Sequence, residues 1–244
     1  MRCFKVTIEY DGTEFAGFQF QVGQRNVQEE IERAIGRLTG QEVRVAGAGR
    51  TDSGVHALGQ VIGFRAETRI PLEKLGLALN SVLPRDIAAV KAEEVDEDFH
   101  ARFSAQSRSY VYVILNREHR SAVFDRYAWY LSDDLNLAAM DSAARRLLGT
   151  HDLVAWANET RETKTTVREI LRSQVRKRGP FVLVSMKANG FLRGMVRNVV
   201  GTLVEVGVGK RPSEDIDRIT ESGSRAEAGP SAPAHGLCLT RVGY

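Results

Sequence analysis

The order of strand and helix patterns constrains this chain most, because the same order is predicted in both of its halves. In the first half, apolar residues at 4, 6, 8 and 10 alternate with polar ones, which is the period of a strand with one covered face. Asn26 then begins a helix with Glu29 in capping-box position, and Gly40 ends it. The remaining elements complete the order β-α-β-β-α-β of a ferredoxin-like unit: strands near 42–47 and 59–66, a helix from Pro71 and a strand near 87–95.

The second half is predicted to repeat this order. Its elements are a strand near 107–116, a helix near 135–148 closed by Gly149, a hairpin of 166–177 and 181–188 that turns at Gly179-Pro180, a helix near 194–207 and a strand near 237–242. A short helix near 213–221 and a loop over 222–235 are inserted. We expect an α+β fold of two ferredoxin-like halves, residues 1–104 and 105–244, placed side by side with a catalytic cleft between them.

Composition excludes several classes of protein. With 43% apolar and 27% charged residues, the chain is typical of a globular protein. The net charge of +3 is too small to indicate nucleic acid, so any basic surface has to be local. Cys3 and Cys238 form neither a metal site nor a disulfide framework and suit a reducing compartment. No apolar run of about 18 residues occurs, and Met1-Arg2 leads straight into a strand. We therefore expect a cytoplasmic protein with no membrane segment and no metal.

The segment 49–57, GRTDSGVHA, holds one carboxylate between an arginine and two glycines, where neither a helix nor a strand pattern continues. Gly49 and Gly54 let the backbone adopt positive φ and approach a ligand closely. Arg50 supplies a planar, charged fork suited to phosphate. The carboxylate of Asp52 in such a loop indicates chemistry more often than packing. The alternative is an ordinary turn in which Asp52 caps the following amides.

Further motifs accompany this loop along the whole chain: Tyr10-Asp11-Gly12-Thr13, Leu83-Pro84-Arg85-Asp86-Ile87, His100-Ala101-Arg102-Phe103, Arg108-Ser109-Tyr110, Met195-Val196-Arg197-Asn198 with Gly201, and Gly236-Leu237. Together with GRTDSGVHA, and in the same order and spacing, they resemble the motifs of the tRNA pseudouridine synthases of the A family. The chain departs from the usual family residues at Phe18, Asn26, Leu153 and Trp156. None of these is a proposed catalytic position.

The resemblance implies roles for four residues. Asp52 is the expected nucleophile for converting uridine to pseudouridine. Arg197, on the predicted fourth helix, pairs with that aspartate in the family and keeps it ionised. Gly201 lies one turn later on the same face, so a partner chain can approach closely there. Tyr110 is placed against the target base, and Arg50 can fill the gap left by a base flipped out of its helix. The residue types leave open whether Asp52 adds to C6 of the ring or attacks or deprotonates the sugar.

The resemblance also implies the partners. The expected substrate is tRNA, at uridines of the anticodon stem-loop near positions 38 to 40, and the expected assembly is a homodimer that needs no cofactor. The predicted hairpin places four arginines on one face, where they could follow phosphates, although a solvated outer face has the same pattern. The candidate RNA contacts besides Arg50 are Arg168, Arg172, Arg176 and Arg178 of the hairpin, Lys164 just before it, and Arg108 beside Tyr110.

Two other classes of function remain open from the residues alone. A noncatalytic RNA-binding protein or RNA chaperone can also use paired ferredoxin-like sheets with aromatic residues. Such a protein gains nothing from a carboxylate beside phosphate, so Asp52 favours the enzyme. A nucleotide-binding enzyme could use Gly47-Ala48-Gly49-Arg50-Thr51 as a phosphate loop. That segment lacks Gly-Lys-Ser/Thr, and no helix is predicted to begin after it.

Overall fold

The computed structural model describes residues 1–160 and 163–244. The fold class is α+β, as the sequence predicts, and two short strands are present in addition to the predicted elements. In chain order the elements are β1 (Arg2–Tyr10), α1 (Val27–Thr39), β2 (Ala46–Gly47), β3 (His56–Ala66), α2 (Leu72–Val82), β4 (Ile87–Glu94), β5 (Ser107–Asn116), β6 (Trp129–Leu131), α3 (Leu137–Arg145), β7 (Gly149–Asp152), β8 (Val167–Arg178), β9 (Phe181–Ala188), α4 (Met195–Gly207), α5 (Asp215–Ser222) and β10 (Leu237–Gly243).

These elements form two compact units. The first unit holds Met1–Gln106 together with Leu239–Tyr244, and the second holds Ser107–Cys238. The predicted boundary between residues 104 and 105 lies slightly earlier, and it assigns the chain end to the second half. The chain end belongs to the first unit because the Gln106 amide donates to the Gly243 carbonyl at 2.8 Å, and the Tyr244 hydroxyl donates to the Ala101 carbonyl at 2.8 Å. The side-by-side placement of the halves and the cleft stay predictions.

The first unit is built around β1. Its strand order is β4-β1-β3-β10, with β2 also paired to β3, and β1 runs antiparallel to both β3 and β4. The alternating apolar residues of β1 are all buried, as their period predicts. The predicted first helix is confirmed, because the Asn26 side chain accepts the Glu29 amide at 2.9 Å and Gly40 ends α1 with a φ of 71°.

Two predicted boundaries are wrong. The strand expected near 42–47 is reduced to Ala46–Gly47, because the Val45 amide donates to Glu32 Oε1 of α1 at 2.9 Å instead of to a strand. The helix expected near 135–148 is the shorter α3, Leu137–Arg145. Gly149 does take a positive φ, 101°, but it begins β7 rather than ending a helix.

The second unit has the strand order β5-β9-β8-β7, with β6 parallel to β5. The predicted hairpin is confirmed: β8 and β9 pair antiparallel across the turn at Gly179-Pro180. The sequence does not predict β6 and β7, because strands this short carry no readable period. Nearly every residue of α4 is buried. Packing therefore fixes the backbone of this helix and the positions of its few accessible side chains.

Neither a membrane span nor a metal cluster is found among the described residues. None of their helices combines the length and apolar character needed to cross a bilayer. The same residues contain no group of three or more His, Cys, Asp and Glu side chains that could hold a metal ion. Cys3 is buried and Cys238 is half-buried, and both are thiols rather than halves of a disulfide.

Candidate active site

The loop that carries Asp52 is fixed through its backbone. The Thr51 carbonyl accepts the Phe18 amide at 3.1 Å, and Asp52 forms an isolated antiparallel bridge with Gly17. Gly17 has a φ of 119°, and a Cβ there would lie 2.9 Å from the Thr51 carbonyl oxygen. This close approach requires glycine, since both the space and the backbone angle exclude a side chain. The Val55 amide then donates to the Asp52 carbonyl at 3.2 Å and closes a turn.

The end of β1 holds the other side of this loop. The hydroxyls of Tyr10 and Thr51 share a buried hydrogen bond of 2.7 Å. A Cβ on Gly12 would lie 2.0 Å from the Val55 carbonyl oxygen, so the two backbones are in contact. His56 Nδ1 accepts the Gly12 amide at 3.0 Å, which orients the buried imidazole against this turn. The motif that begins at Tyr10 therefore serves to support the aspartate loop.

This support leaves the side chains of Arg50 and Asp52 accessible to a ligand. Asp52 is half-buried and Arg50 is exposed. The loop follows β2 and runs directly into β3, and no helix begins there. A phosphate loop directs its amides from the start of a helix, so the nucleotide-binding alternative does not fit. The loop therefore holds the Asp52 carboxylate in a fixed position, two residues from the exposed guanidinium of Arg50.

Tyr110 belongs to the second unit, on β5. It pairs with Met186 of β9 and is largely buried. Its ring meets that of Phe191 edge to face, with the ring centroids 5.1 Å apart. Such a pair stabilises the ring orientation. The structure therefore fixes the direction of the Tyr110 ring, whereas its stacking on a base stays a prediction.

Arg197 also belongs to the second unit, in the first turn of α4 and half-buried. Its Nε donates to the Ala232 carbonyl at 2.7 Å, and its own carbonyl accepts the Ala232 amide at 3.0 Å. Nearby, the buried Tyr112 hydroxyl donates to the Pro233 carbonyl at 2.8 Å. Burial raises the pKa of Tyr112 far above its ordinary value, and the positive charge of Arg197 partly opposes this rise. The guanidinium of Arg197 is thus oriented by a loop segment as well as by its helix.

That segment, residues 228–233, contacts residues whose roles the sequence predicts only in part. A Cβ on Gly201 would lie 1.7 Å from the Pro230 carbonyl oxygen, so the close approach predicted at Gly201 is made by this chain itself. Asn198 is fully buried and Arg225 lies beside it. Asn198 belongs to a motif that suggested no role for it. Arg225 begins a 3-10 helix of only three residues, Arg225–Glu227, which is too short for a period to reveal its contacts.

The hairpin arginines do not share one face, because β8 contains a β-bulge. Ile170 pairs with Ala188 but Arg172 pairs with Lys187, so Leu171 is an extra residue and the alternation of faces reverses there. Arg168 consequently lies on the face of buried Ile170, opposite to the face of the later arginines. The exposed face after the bulge carries four basic residues, of which the sequence analysis predicts only the arginines as RNA contacts: Arg172, Arg176, Arg178 and Lys187.

The other predicted RNA contacts have mixed surroundings. The Arg168 guanidinium donates to Thr163 Oγ1 at 3.0 Å and to the Thr165 carbonyl at 2.7 Å, and burial lowers its pKa. Arg168 is therefore used to hold its own loop. Arg108 Nη1 donates to the Asn189 carbonyl at 2.9 Å, and Lys164 is exposed.

Comparison with known proteins agrees with these motifs. A family model described as tRNA pseudouridine synthase matches residues 6–104 and 143–244. The chain is 44% identical to tRNA pseudouridine synthase A of Thermoanaerobacter sp. strain X514 over 244 residues, which cover 100% of both chains. It is 46% identical to the protein of the same name from Moorella thermoacetica over 246 residues, again covering 100% of each. The chain therefore belongs to the tRNA pseudouridine synthase family and is an isomerase that converts uridine to pseudouridine in tRNA.

Proposed function

We propose that Asp52 is the nucleophile of this reaction and that the target uridines lie in the anticodon stem-loop, near positions 38 to 40. The reaction breaks the bond from N1 to C1′, rotates the base, joins C5 to C1′ and releases the hydrogen of C5. A carboxylate can open this path covalently. The observation that carries the assignment is the half-buried Asp52 in a loop held on one side by a backbone bridge to Gly17 and on the other by the hydrogen bond between the Tyr10 and Thr51 hydroxyls. The choice of stem-loop rests on the resemblance of the motifs.

The other site residues have supporting roles in this proposal. A base inside a helix has to leave its stack to reach the nucleophile, and the exposed Arg50 side chain fills the gap. Tyr110 offers an oriented ring to the flipped base, where stacking contributes about 1–3 kcal/mol. Arg197 pairs with the carboxylate of Asp52, since a neighbouring positive charge favours the ionised acid. Arg50 and Asp52 come from the first unit and the other two residues from the second.

Pseudouridine mapping tests the substrate assignment. In tRNA from cells that lack this protein, pseudouridine is expected to disappear at positions 38 to 40 and to remain elsewhere. Cells supplied with the wild-type chain should regain it, and cells supplied with the Asp52→Asn chain should not. Loss at another arm of the tRNA, with positions 38 to 40 unchanged, would contradict the proposed target.

Reversal of charge on the exposed face of β8 is expected to weaken tRNA binding. Arg176→Glu with Arg178→Glu removes two candidate phosphate contacts, and each contact contributes about 0.9 to the slope of log affinity against log salt on duplex RNA, by analogy with duplex DNA. The slope should therefore decrease by roughly 2 units. Lys177→Glu is the matched control, because Lys177 lies between them on the opposite face of the strand. Equal slopes for the double variant and the wild type would show that this face is only solvated.

The proposal includes a homodimer, which is supported by the resemblance of the motifs and by the small size of one chain. One chain of 27.1 kDa is small beside a folded tRNA, so a second copy can supply distant contacts. Light scattering at micromolar concentration is expected to give twice the mass of one chain. A mass equal to one chain would exclude the dimer.

A further inference from the structure

The segment 228–233 lies on α4 through backbone contacts that leave no room for adjustment. The Pro230 carbonyl oxygen occupies the place of a Cβ on Gly201. The Gly229 amide donates to Thr202 Oγ1 at 2.9 Å. Ala232 exchanges two hydrogen bonds with Arg197, one from its amide and one to its carbonyl. A shift of this segment would therefore move the carbonyl that orients the Arg197 guanidinium.

Arg225 joins this segment to α4. Its Nη1 donates to the carbonyls of Ala228 and Gly229 at 3.3 and 3.0 Å. Its Nη2 donates to Asn198 Oδ1 at 3.0 Å and to Ser231 Oγ at 3.4 Å. One guanidinium thus bridges the residue next to Arg197 on the helix and three residues of the segment.

Asn198 is prepared to accept this guanidinium. Its Nδ2 donates to the Trp156 carbonyl and to Asn158 Oδ1, each at 2.8 Å. Because both hydrogens of the amide group are used, Oδ1 faces Arg225 and also accepts the Ser231 hydroxyl. Asn198 is fully buried, where an unmatched polar atom is costly, so this orientation is strongly determined.

We propose that Arg225 is a positioning residue for catalysis: it clamps the segment 228–233 onto α4 and thereby sets the Ala232 carbonyl that orients Arg197. This inference rests on the proposed role of Arg197. The clamp requires a planar guanidinium group, because its N–H donors point in fixed directions and reach Asn198 and the Gly229 carbonyl together. A lysine ammonium is a single point of charge and cannot span both.

Kinetics of tritium release from tRNA labelled at C5 of its uridines test the proposal. Arg225→Ala is expected to lower kcat on the order of 10²-fold with an unchanged KM for tRNA, since misplacement of a catalytic group acts on the transition state. Arg225→Lys should stay equally slow, and it carries the test if Arg225→Ala does not fold. The control is Arg211→Ala, because Arg211 binds Glu205 of α4 and the Glu227 carbonyl but makes no contact of this clamp. Its kcat should stay near wild type.

A double variant separates positioning from a general loss of stability. Adding Arg225→Ala to Arg197→Ala should lower kcat no further, because two changes on one path are not additive. If Arg197→Ala is slow while Arg225→Ala matches Arg211→Ala, the clamp is only structural and the proposal fails, although the role of Arg197 stands. The proposal also fails if Arg225→Ala lowers kcat by the same factor in the Arg197→Ala background as in the wild type. If Arg197→Ala itself turns over like wild type, both the clamp and the proposed role of Arg197 are wrong.

Discussion

Asp52→Asn is expected to leave tRNA binding intact and to lower turnover by a factor on the order of 10⁴ or more, as the loss of a nucleophile does in other enzymes. Asparagine keeps the size of the side chain and most of its hydrogen bonding but removes the charge and the attacking oxygen. Every turnover expels the hydrogen of C5, because C5 forms the new bond to the sugar. Tritium placed at C5 should therefore appear in water with the wild type and stay in the tRNA with the variant.

Ser53→Ala is the matched control for this experiment. Ser53 is the next residue of the loop, and its hydroxyl donates to the Phe15 carbonyl at 3.1 Å. Its loss disturbs the same loop without touching the carboxylate, so tritium release should stay close to the wild-type rate. Release by Asp52→Asn at a near wild-type rate would remove Asp52 from the mechanism. A rate for Ser53→Ala as low as that of Asp52→Asn would assign the effect to loop geometry instead.

Gly201→Ala is expected to destabilise the protein although alanine is the better helix former. The new Cβ would lie 1.7 Å from the Pro230 carbonyl oxygen and 3.3 Å from the Ala232 amide nitrogen. Backbone atoms cannot yield as the end of a side chain can, so the segment 228–233 has to move. Overpacking of this kind costs roughly 1–3 kcal/mol, which exceeds the gain in helix propensity of up to about 1 kcal/mol. Thermal and urea unfolding measure this difference in the free energy of unfolding.

Gly76→Ala is the control for the sign of that effect. Gly76 lies inside α2, and apart from the backbone of its own helix, no atom of the described residues would lie within 4 Å of a Cβ added there. The same substitution should stabilise the protein at this position by roughly 0.4–1 kcal/mol. A stabilising Gly201→Ala would show that the segment leaves α4 without cost, and the orientation of Arg197 by Ala232 would then lose its support.

Local signals explain the predictions that are confirmed. The start and end of α1 depend on Asn26, Glu29 and Gly40, each within one turn of the helix terminus that it determines. β1 follows from the alternation of apolar and polar residues, which matches the alternation of buried and accessible side chains along the strand. The β8–β9 hairpin follows from the two-residue turn Gly179-Pro180 between two strand segments. In all three cases the signal lies in residues that are close in sequence.

The predictions that are wrong depend on contacts between distant residues. The strand near 42–47 is shortened because Glu32, from the preceding helix, accepts the Val45 amide. Arg168 changes face because Leu171 is accommodated as a bulge against β9. A period read along one strand does not reveal an extra residue, since the mismatch exists only against the partner strand.

The sequence by itself determined the order of the elements, the family motifs and the need for a close approach at Gly201, because each is written in residues that are neighbours on one element. Only the tertiary structure decided that the approaching segment is residues 228–233 and that Arg225 ties it to Asn198, 27 positions away. It also decided that the Tyr10 motif supports the aspartate loop. Such contacts join residues that are far apart in the chain, through side chains as well as backbone, and neither periodicity nor residue type records which group will be near.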